Sequence, residues 1–232
     1  MKKATPLSLE AKTAFFSRAV GFQGLSNAAY GELAALADTQ LFVKDNIIFG
    51  PEEPCFSFDM VVEGLVRVSL YSQLGKRLTY LLAGPGEPLN LVGPFTGAPR
   101  KNTAEAVKDT ILIRIKKQEF THFAFTHPQL ITNIIAILGQ AVDSSNSRIL
   151  DMVEKKVGLR LKRILYTLTE KFGPTLNFTA VEIAELSGTT PESILRLLAQ
   201  LRENGVIEKS RGQIRVVDAK ALLDPEIDAI WL

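Results

Sequence analysis

The side chains best suited to recognising another molecule lie in residues 187–205, which read SGTTPESILRLLAQLRENG. Glu192 and Arg196 are four residues apart in a stretch with helical periodicity, so they would share one face of a helix. An arginine can donate two hydrogen bonds to guanine O6 and N7, and a glutamate can accept one from cytosine N4. This pair therefore has the chemistry to read base edges in duplex DNA.

Two short helices are predicted around this pair. Thr179 and Glu182 form the capping box T-x-x-E ahead of the first helix, and Gly188 permits a tight turn after it. Thr190 is a favourable N-cap for the second helix, and Pro191 suits its first position, where a missing N–H costs nothing. The apolar residues predicted to face the core are Val181, Ile183, Ala184 and Leu186 in the first helix and Ile194, Leu197, Leu198 and Leu201 in the second.

A β-hairpin is predicted after Gly205, in the run VIEKSRGQIRVV, with its turn at residues 210–213. Two helices, a glycine turn and a hairpin make a winged helix-turn-helix, whose second helix enters the major groove by its N-terminus. The alternative is a helical hairpin whose charges are only solvated, which requires cap, turn, stripe and hairpin to coincide in order by chance. The predicted DNA-binding residues are Thr179, Thr190, Pro191, Glu192, Ser193, Arg196 and Arg211.

The N-terminal half changes from helical to strand periodicity. Helices are predicted in PLSLEAKTAFFSRAVGF and LSNAAYGELAALA, the second with Ser26 as its cap. Short β-rich runs follow: QLFVKDNIIFGPEEP, FDMVVEGLVRVSLYS, KRLTYLLAGPGEP and TAEAVKDTILIRI. In LVRVSLY the alternation places Val66, Val68 and Leu70 on one face. We therefore predict an α+β chain with an N-terminal antiparallel β-roll of the jelly-roll type.

A long helix is predicted after Gln118, and part of it has the spacing of a coiled coil. Its apolar positions alternate in steps of four and three, and the predicted dimerisation seam is Ile131, Ile135, Leu138, Val142, Ser145, Ile149 and Met152. Burial of this seam against the β-roll is the alternative to pairing with a second copy. Thr126 is predicted to cap the helix with Pro128 at its first position, and Gly158 offers a hinge before the next helix, so a domain boundary is expected between Met152 and Gly158.

At this point the sequence resembles the CRP/FNR (cyclic-AMP receptor protein/FNR) family of bacterial transcription regulators over nearly its whole length. The resemblance implies a β-roll effector-sensing domain over residues 1–125, a dimerisation helix over 126–155 and a winged helix-turn-helix DNA-binding domain over 156–232. Glu192 and Arg196 match the spaced Glu and Arg of the family's recognition helix, and Ser193 matches its Ser or Thr. The family's TG…CA inverted repeat is then the expected site core, although Pro191 departs from the usual basic or polar residue.

The same resemblance points to a candidate effector site in GEPLNLVGPFTGAPRKNTAEA. Nucleotide-binding relatives use a glutamate on the ribose and an arginine on the phosphate, and here Leu91 stands at the glutamate position while Arg100 lies near the arginine position. Cyclic AMP is therefore expected to bind poorly, whereas a small organic anion suits the site. The predicted effector-binding residues are Asn90, Leu91, Val92, Gly93, Arg100 and Ser145; alternatively, Arg100 is an ordinary loop arginine.

Three further interpretations concern cofactors and chemistry. Haem, the sensor of CO or NO in some relatives, would need axial ligands from His122, His127, Met60, Met152 or Cys55. Cys55 is the only cysteine, which excludes a four-thiolate iron–sulfur cluster within one chain. A cupin-type metalloenzyme is disfavoured because neither histidine lies in a strand-like run. A regulator that needs no effector stays open.

Composition and charge favour a soluble protein in the cytoplasm. The chain is 46% hydrophobic with a net charge of +2, and neither a signal peptide nor a membrane-spanning run is expected. The partners expected are double-stranded DNA, a second copy of the chain, RNA polymerase and a small-molecule effector, with no membrane.

Overall fold

The computed structural model describes residues 6–153 and 157–223. It contains two compact units, one formed by Met1–Tyr71 and Tyr80–Gly139 and the other by Ser72–Thr79 and Gln140–Leu232. Within the described ranges, no helix is long and apolar enough to span a bilayer.

The first unit is built from short helices and seven strands. Its helices are α1 Leu9–Phe16, α2 Asn27–Leu36, α3 Gly93–Thr96 and α4 Lys117–Thr126, and α5 Pro128–Val153 begins in it. Its strands are β1 Asp38–Phe42, β2 Ile47–Phe49, β3 Ser57–Glu63, β4 Val66–Tyr71, β5 Arg77–Ala83, β6 Thr103–Ala106 and β7 Thr110–Lys116. The side chain of Ser26 accepts a hydrogen bond from the Ala29 N–H at 3.2 Å, which confirms the predicted cap of α2.

Two sheets form the β-roll. One has the order β1-β7-β3, with β7 antiparallel to both neighbours, and the other has the order β2-β6-β4-β5. Residues 57–61 of β3 are all buried, because α3 and α4 also pack on this strand and cover its second face. The rings of Phe58 and Phe120 stack there with centroids 3.9 Å apart. The predicted α+β class with an antiparallel sheet domain is confirmed.

The predicted alternation in β4 is only partly right. Val66 and Val68 are fully buried, but Leu70 is 40% exposed and Ser69 is buried. Ser69 still pairs with Thr103 of β6, whereas Leu70 and Tyr71 lie beyond the paired part of that ladder, so nothing there covers Leu70. Periodicity indicates a face but not how far the covering neighbour extends.

The start of α5 also differs from the prediction. Thr126 is the last residue of α4, and its hydroxyl donates backwards to the carbonyls of His122 and Phe123 at 3.2 and 3.0 Å, so it does not cap α5. Pro128 does occupy the first position of α5. Asn133 then donates to the Gly21 and Gln23 carbonyls at 3.0 and 2.8 Å, which fixes this half of α5 to the first unit.

The second unit is mostly helical. It contains the rest of α5, helices α6 Val157–Phe172, α7 Ala180–Ser187 and α8 Pro191–Glu203, strands β8 Thr175–Leu176, β9 Ile207–Ser210 and β10 Gln213–Val216, and a 3-10 turn at Lys220–Leu222. The break between α5 and α6 lies within the predicted interval 152–158. Gly158, predicted to precede the new helix, lies in its first turn because α6 already begins at Val157.

Candidate nucleic-acid interface and effector site

Helix α7 begins with the predicted capping box. The Thr179 hydroxyl accepts from the Glu182 N–H at 3.2 Å, and the Glu182 carboxylate accepts from the Thr179 N–H at 2.8 Å. Ile183, Ala184 and Leu186 are buried as predicted, but Val181 is 51% exposed. Val181 lies in the first turn, next to the exposed Thr179, and this end of the helix faces solvent.

The turn and the start of α8 also follow the prediction. Gly188 has a φ of 62°, in the left-handed region that glycine adopts without strain. The Thr190 hydroxyl accepts from the Ser193 N–H at 3.3 Å, and Pro191 is the first helical residue. The N-terminus of α8 is therefore fixed by its own sequence.

Helix α8 has a buried side and an exposed N-terminal edge. Ile194 and Leu198 are fully buried and Leu201 nearly so, whereas Glu192 and Arg196 are exposed. Hydrogen bonds from the Glu192 backbone N–H and from the Thr190 hydroxyl lower the pKa of the Glu192 carboxyl. An acceptor and a donor of opposite charge thus point to solvent one turn apart.

The hairpin after α8 has the predicted turn. Strands β9 and β10 pair from Gln213↔Ser210 to Val216↔Ile207, which leaves Arg211 and Gly212 at the tip, with Arg211 exposed. The two-residue strand β8 pairs with the other edge of β10 and was not predicted. All seven predicted DNA-binding residues thus belong to this unit.

Three arginines that were not predicted as functional hold the end of α7. Arg148 Nη2 donates to the Leu186 carbonyl at 2.9 Å, and Arg160 Nε donates to the Ser187 carbonyl at 3.0 Å. Arg163 forms a 2.8 Å ion pair with Asp151. Burial lowers the pKa of Arg148, which Asp151 partly opposes. Cations at a helix C-terminus are favourable, and that preference is the signal that could have found them.

Four of the candidate effector residues form a closed turn in the first unit. The Asn90 side-chain carbonyl accepts from the Gly93 N–H at 2.8 Å and from the Val92 N–H at 3.2 Å. Leu91 is buried, and Val92 is 40% exposed. The turn therefore satisfies its own amides and presents an apolar side chain at Leu91.

Arg100 is the buried member of this candidate site. Its Nη2 atom lies 3.4 Å from Asp59 Oδ2, its guanidinium carbon lies 3.7 Å from the centre of the Phe49 ring, and its side chain is 3% exposed. Asp59 also accepts from Arg114 at 2.5 Å and from the Ser57 hydroxyl at 3.0 Å. Arg100 is thus paired within the sheet domain, neither a solvated loop arginine nor an open cation.

The remaining candidate effector residue lies in the second unit. Ser145 is exposed on α5, and its hydroxyl donates to the Ala141 carbonyl at 2.8 Å. Along the same helix the predicted seam is largely open to solvent: Ile135, Val142, Ile149 and Met152 are 63, 58, 59 and 40% exposed, and Ile131 and Leu138 are half-buried. A different stripe, Leu130, Ile134 and Ile137, is buried.

The haem-ligand candidates are dispersed. His127 stacks on Phe123 with ring centroids 3.9 Å apart, and Met60 is fully buried in β3. Cys55 is buried with its thiol 3.5 Å from the Ser57 carbonyl. In the part of the chain that the structure describes, no three His, Cys, Asp or Glu side chains are placed to hold a metal ion.

Comparison with known proteins agrees with this arrangement. Residues 39–127 match the family model of the cyclic nucleotide-binding domain, and residues 159–224 match that of the Crp-like helix-turn-helix domain. The fold and the exposed edge of α8 thus define a two-domain, DNA-binding transcription regulator.

Individual relatives align along most of the chain. The CRP-like cAMP-activated global transcriptional regulator of Mycobacterium tuberculosis is 21% identical over 89% of this chain and 96% of its own length. The nitrogen fixation regulation protein FixK of Azorhizobium caulinodans is 26% identical over 82% of this chain and 79% of its own. A solved CRP/FNR-family transcriptional regulator from Thermus thermophilus is 26% identical, with a TM-score of 0.67 over 79% of this chain and 95% of that one. The chain belongs to the CRP/FNR family of transcription regulators.

Proposed function

We propose that the chain acts as a homodimer that binds an inverted-repeat DNA site with a TG…CA core. Helix α8 would enter the major groove by its N-terminus, with Arg196 on guanine and Glu192 on cytosine. Thr190, Pro191 and Ser193 would line the same edge, while Thr179 and Arg211 would contact the backbone on either side. The observation that carries this proposal is the exposed pair Glu192 and Arg196 on a helix whose other side is buried.

The proposed dimer interface is the exposed apolar seam of α5. Its residues keep the four-and-three spacing of a coiled coil over three heptads, and Ile135, Val142 and Ile149 are each more than half exposed in one chain. Because Leu130, Ile134 and Ile137 already supply the stripe that is buried within the chain, the seam is available for a second copy. Two half-sites about 34 Å apart then require two recognition helices at that spacing.

The β-roll is proposed to sense a small effector other than cyclic AMP and to change the spacing of the recognition helices through α5 near Ser145. Leu91 supplies no carboxylate for a ribose, and Arg100 is engaged by Asp59, so neither polar contact of a nucleotide cassette is free. Such control needs different effector affinities in the two dimer states. Cytoplasmic location and RNA polymerase as a further partner belong to the same proposal.

The test is a gel-shift competition between TG…CA duplex and scrambled duplex at fixed salt. Arg196→Ala should lose roughly 5- to 100-fold of the discrimination, because one bidentate arginine–guanine contact contributes about 1–3 kcal/mol. Arg202→Ala is the matched control, since Arg202 is exposed in the last turn of the same helix. Unchanged discrimination in Arg196→Ala would refute the assignment of α8 as the recognition helix.

A further inference from the structure

The second unit contains an apolar groove away from the N-terminal edge of α8. It lies between the first turns of α6 and the last turns of α8, has a volume of about 460 Å³, and is lined mainly by leucines. Its walls include Leu159, Leu161, Leu197 and Leu201, with Lys162 and Gln200 among its polar residues. Leu159 and Leu197 are only half-buried, so the groove offers uncovered apolar surface.

The end of the chain has the chemistry to fill such a groove. Residues 224–232 read DPEIDAIWL and carry three carboxylates and no basic residue, with Ile227, Ile230, Trp231 and Leu232 as the large apolar side chains. The groove supplies leucines for these and Lys162 for a carboxylate, so the two are complementary in charge and polarity.

The segment starts close to the helix that forms one wall of the groove. The 3-10 turn Lys220–Leu222 packs against α6, and Leu222 is fully buried. Helix α6 has 16 residues and is about 24 Å long, whereas nine extended residues span up to about 30 Å. Every point along α6 is therefore within reach of residues 224–232.

We propose that residues 224–232, which lie outside the described part of the chain, dock in the groove between α6 and α8 of the same chain. The apolar side chains of Ile230 and Trp231 would cover the groove leucines, and an acidic side chain of the segment would lie near Lys162. The docked segment would join α6 to the C-terminal half of α8 and leave Glu192 and Arg196 open to DNA.

Trp231 reports on this docking directly, because it is the only tryptophan of the chain. The full-length protein should emit at shorter wavelength than the urea-unfolded protein and should resist quenching by acrylamide. Leu197→Asp, in the groove wall, should shift emission to the red and raise the quenching constant several-fold. Ile230→Asp should do the same without altering the folded helices.

Two control variants separate docking from other effects. Leu195→Asp adds the same charge to α8 at a residue that is 46% exposed and does not line the groove, so it should leave emission unchanged. Arg196→Ala should also leave it unchanged, which keeps this test independent of DNA recognition. Full-length emission equal to that of the unfolded protein would overturn the proposal, as would protection that appears only with rising protein concentration, which would place the segment on a second copy.

Discussion

Arg100 and Asp59 form an ion pair inside the β-roll, with Nη2 and Oδ2 3.4 Å apart and side chains 3 and 0% exposed. Asp59 serves Arg114 as well, so one carboxylate compensates two guanidinium groups. Arg100 Nη1 is buried without a hydrogen-bond partner among the described residues, and Phe49 lies against the guanidinium face. This arrangement makes Asp59 the residue on which the charge balance of the domain depends.

Asp59→Asn should therefore destabilise the β-roll strongly. The amide keeps the shape but removes the carboxylate that compensates Arg100, and leaving a buried charge unpaired costs about 3–5 kcal/mol. Urea unfolding followed by circular dichroism measures the loss. Glu208→Gln breaks the Arg215–Glu208 pair, whose side chains are 62 and 64% exposed, and should cost at most about 1 kcal/mol. Equal effects of the two substitutions would contradict the assigned role of Asp59.

Two carboxylates in the proposed seam should produce monomers. Ile135→Asp with Val142→Asp places like charges opposite each other in a two-fold interface, and sedimentation velocity should show the mass of one chain. The control is Ala136→Asp with Gln140→Asp, which adds the same charge at exposed positions of α5 outside the seam. A dimer that survives the seam substitutions would place the interface elsewhere.

Cyclic AMP should show no binding at micromolar concentration in calorimetric titration. The buried Leu91 cannot accept a hydrogen bond from a ribose hydroxyl, and Asp59 competes with any phosphate for Arg100. The cAMP-activated relative of M. tuberculosis, titrated under the same conditions, provides the positive control. A clear isotherm with this chain would show that the cassette binds the nucleotide through other residues.

Local signals in the sequence were sufficient for the helix-turn-helix. The capping box at Thr179, the turn at Gly188 and the start of α8 at Pro191 each depend on residues within a few positions of one another. Such short-range hydrogen bonds and backbone preferences are readable from the chain itself.

Long-range relationships could not be read in the same way. Arg100 and Asp59 are 41 residues apart, and nothing near either residue indicates that they meet. The exposure of Val181 and Leu70 likewise depends on where neighbouring elements end, and the two-residue strand β8 exists only because β10 offers an edge. The seam of α5 was visible as a pattern, but its exposure within one chain required the fold.

Helix α5 is apolar on two sides, with Leu130, Ile134 and Ile137 buried in the chain and Ile135, Val142 and Ile149 exposed. A chain newly released from the ribosome can satisfy the first side alone, whereas the second side needs another copy that has finished synthesis. We therefore expect the yield of soluble protein to depend on expression rate and chaperone capacity, since each single chain exposes a sticky surface until it meets its twin.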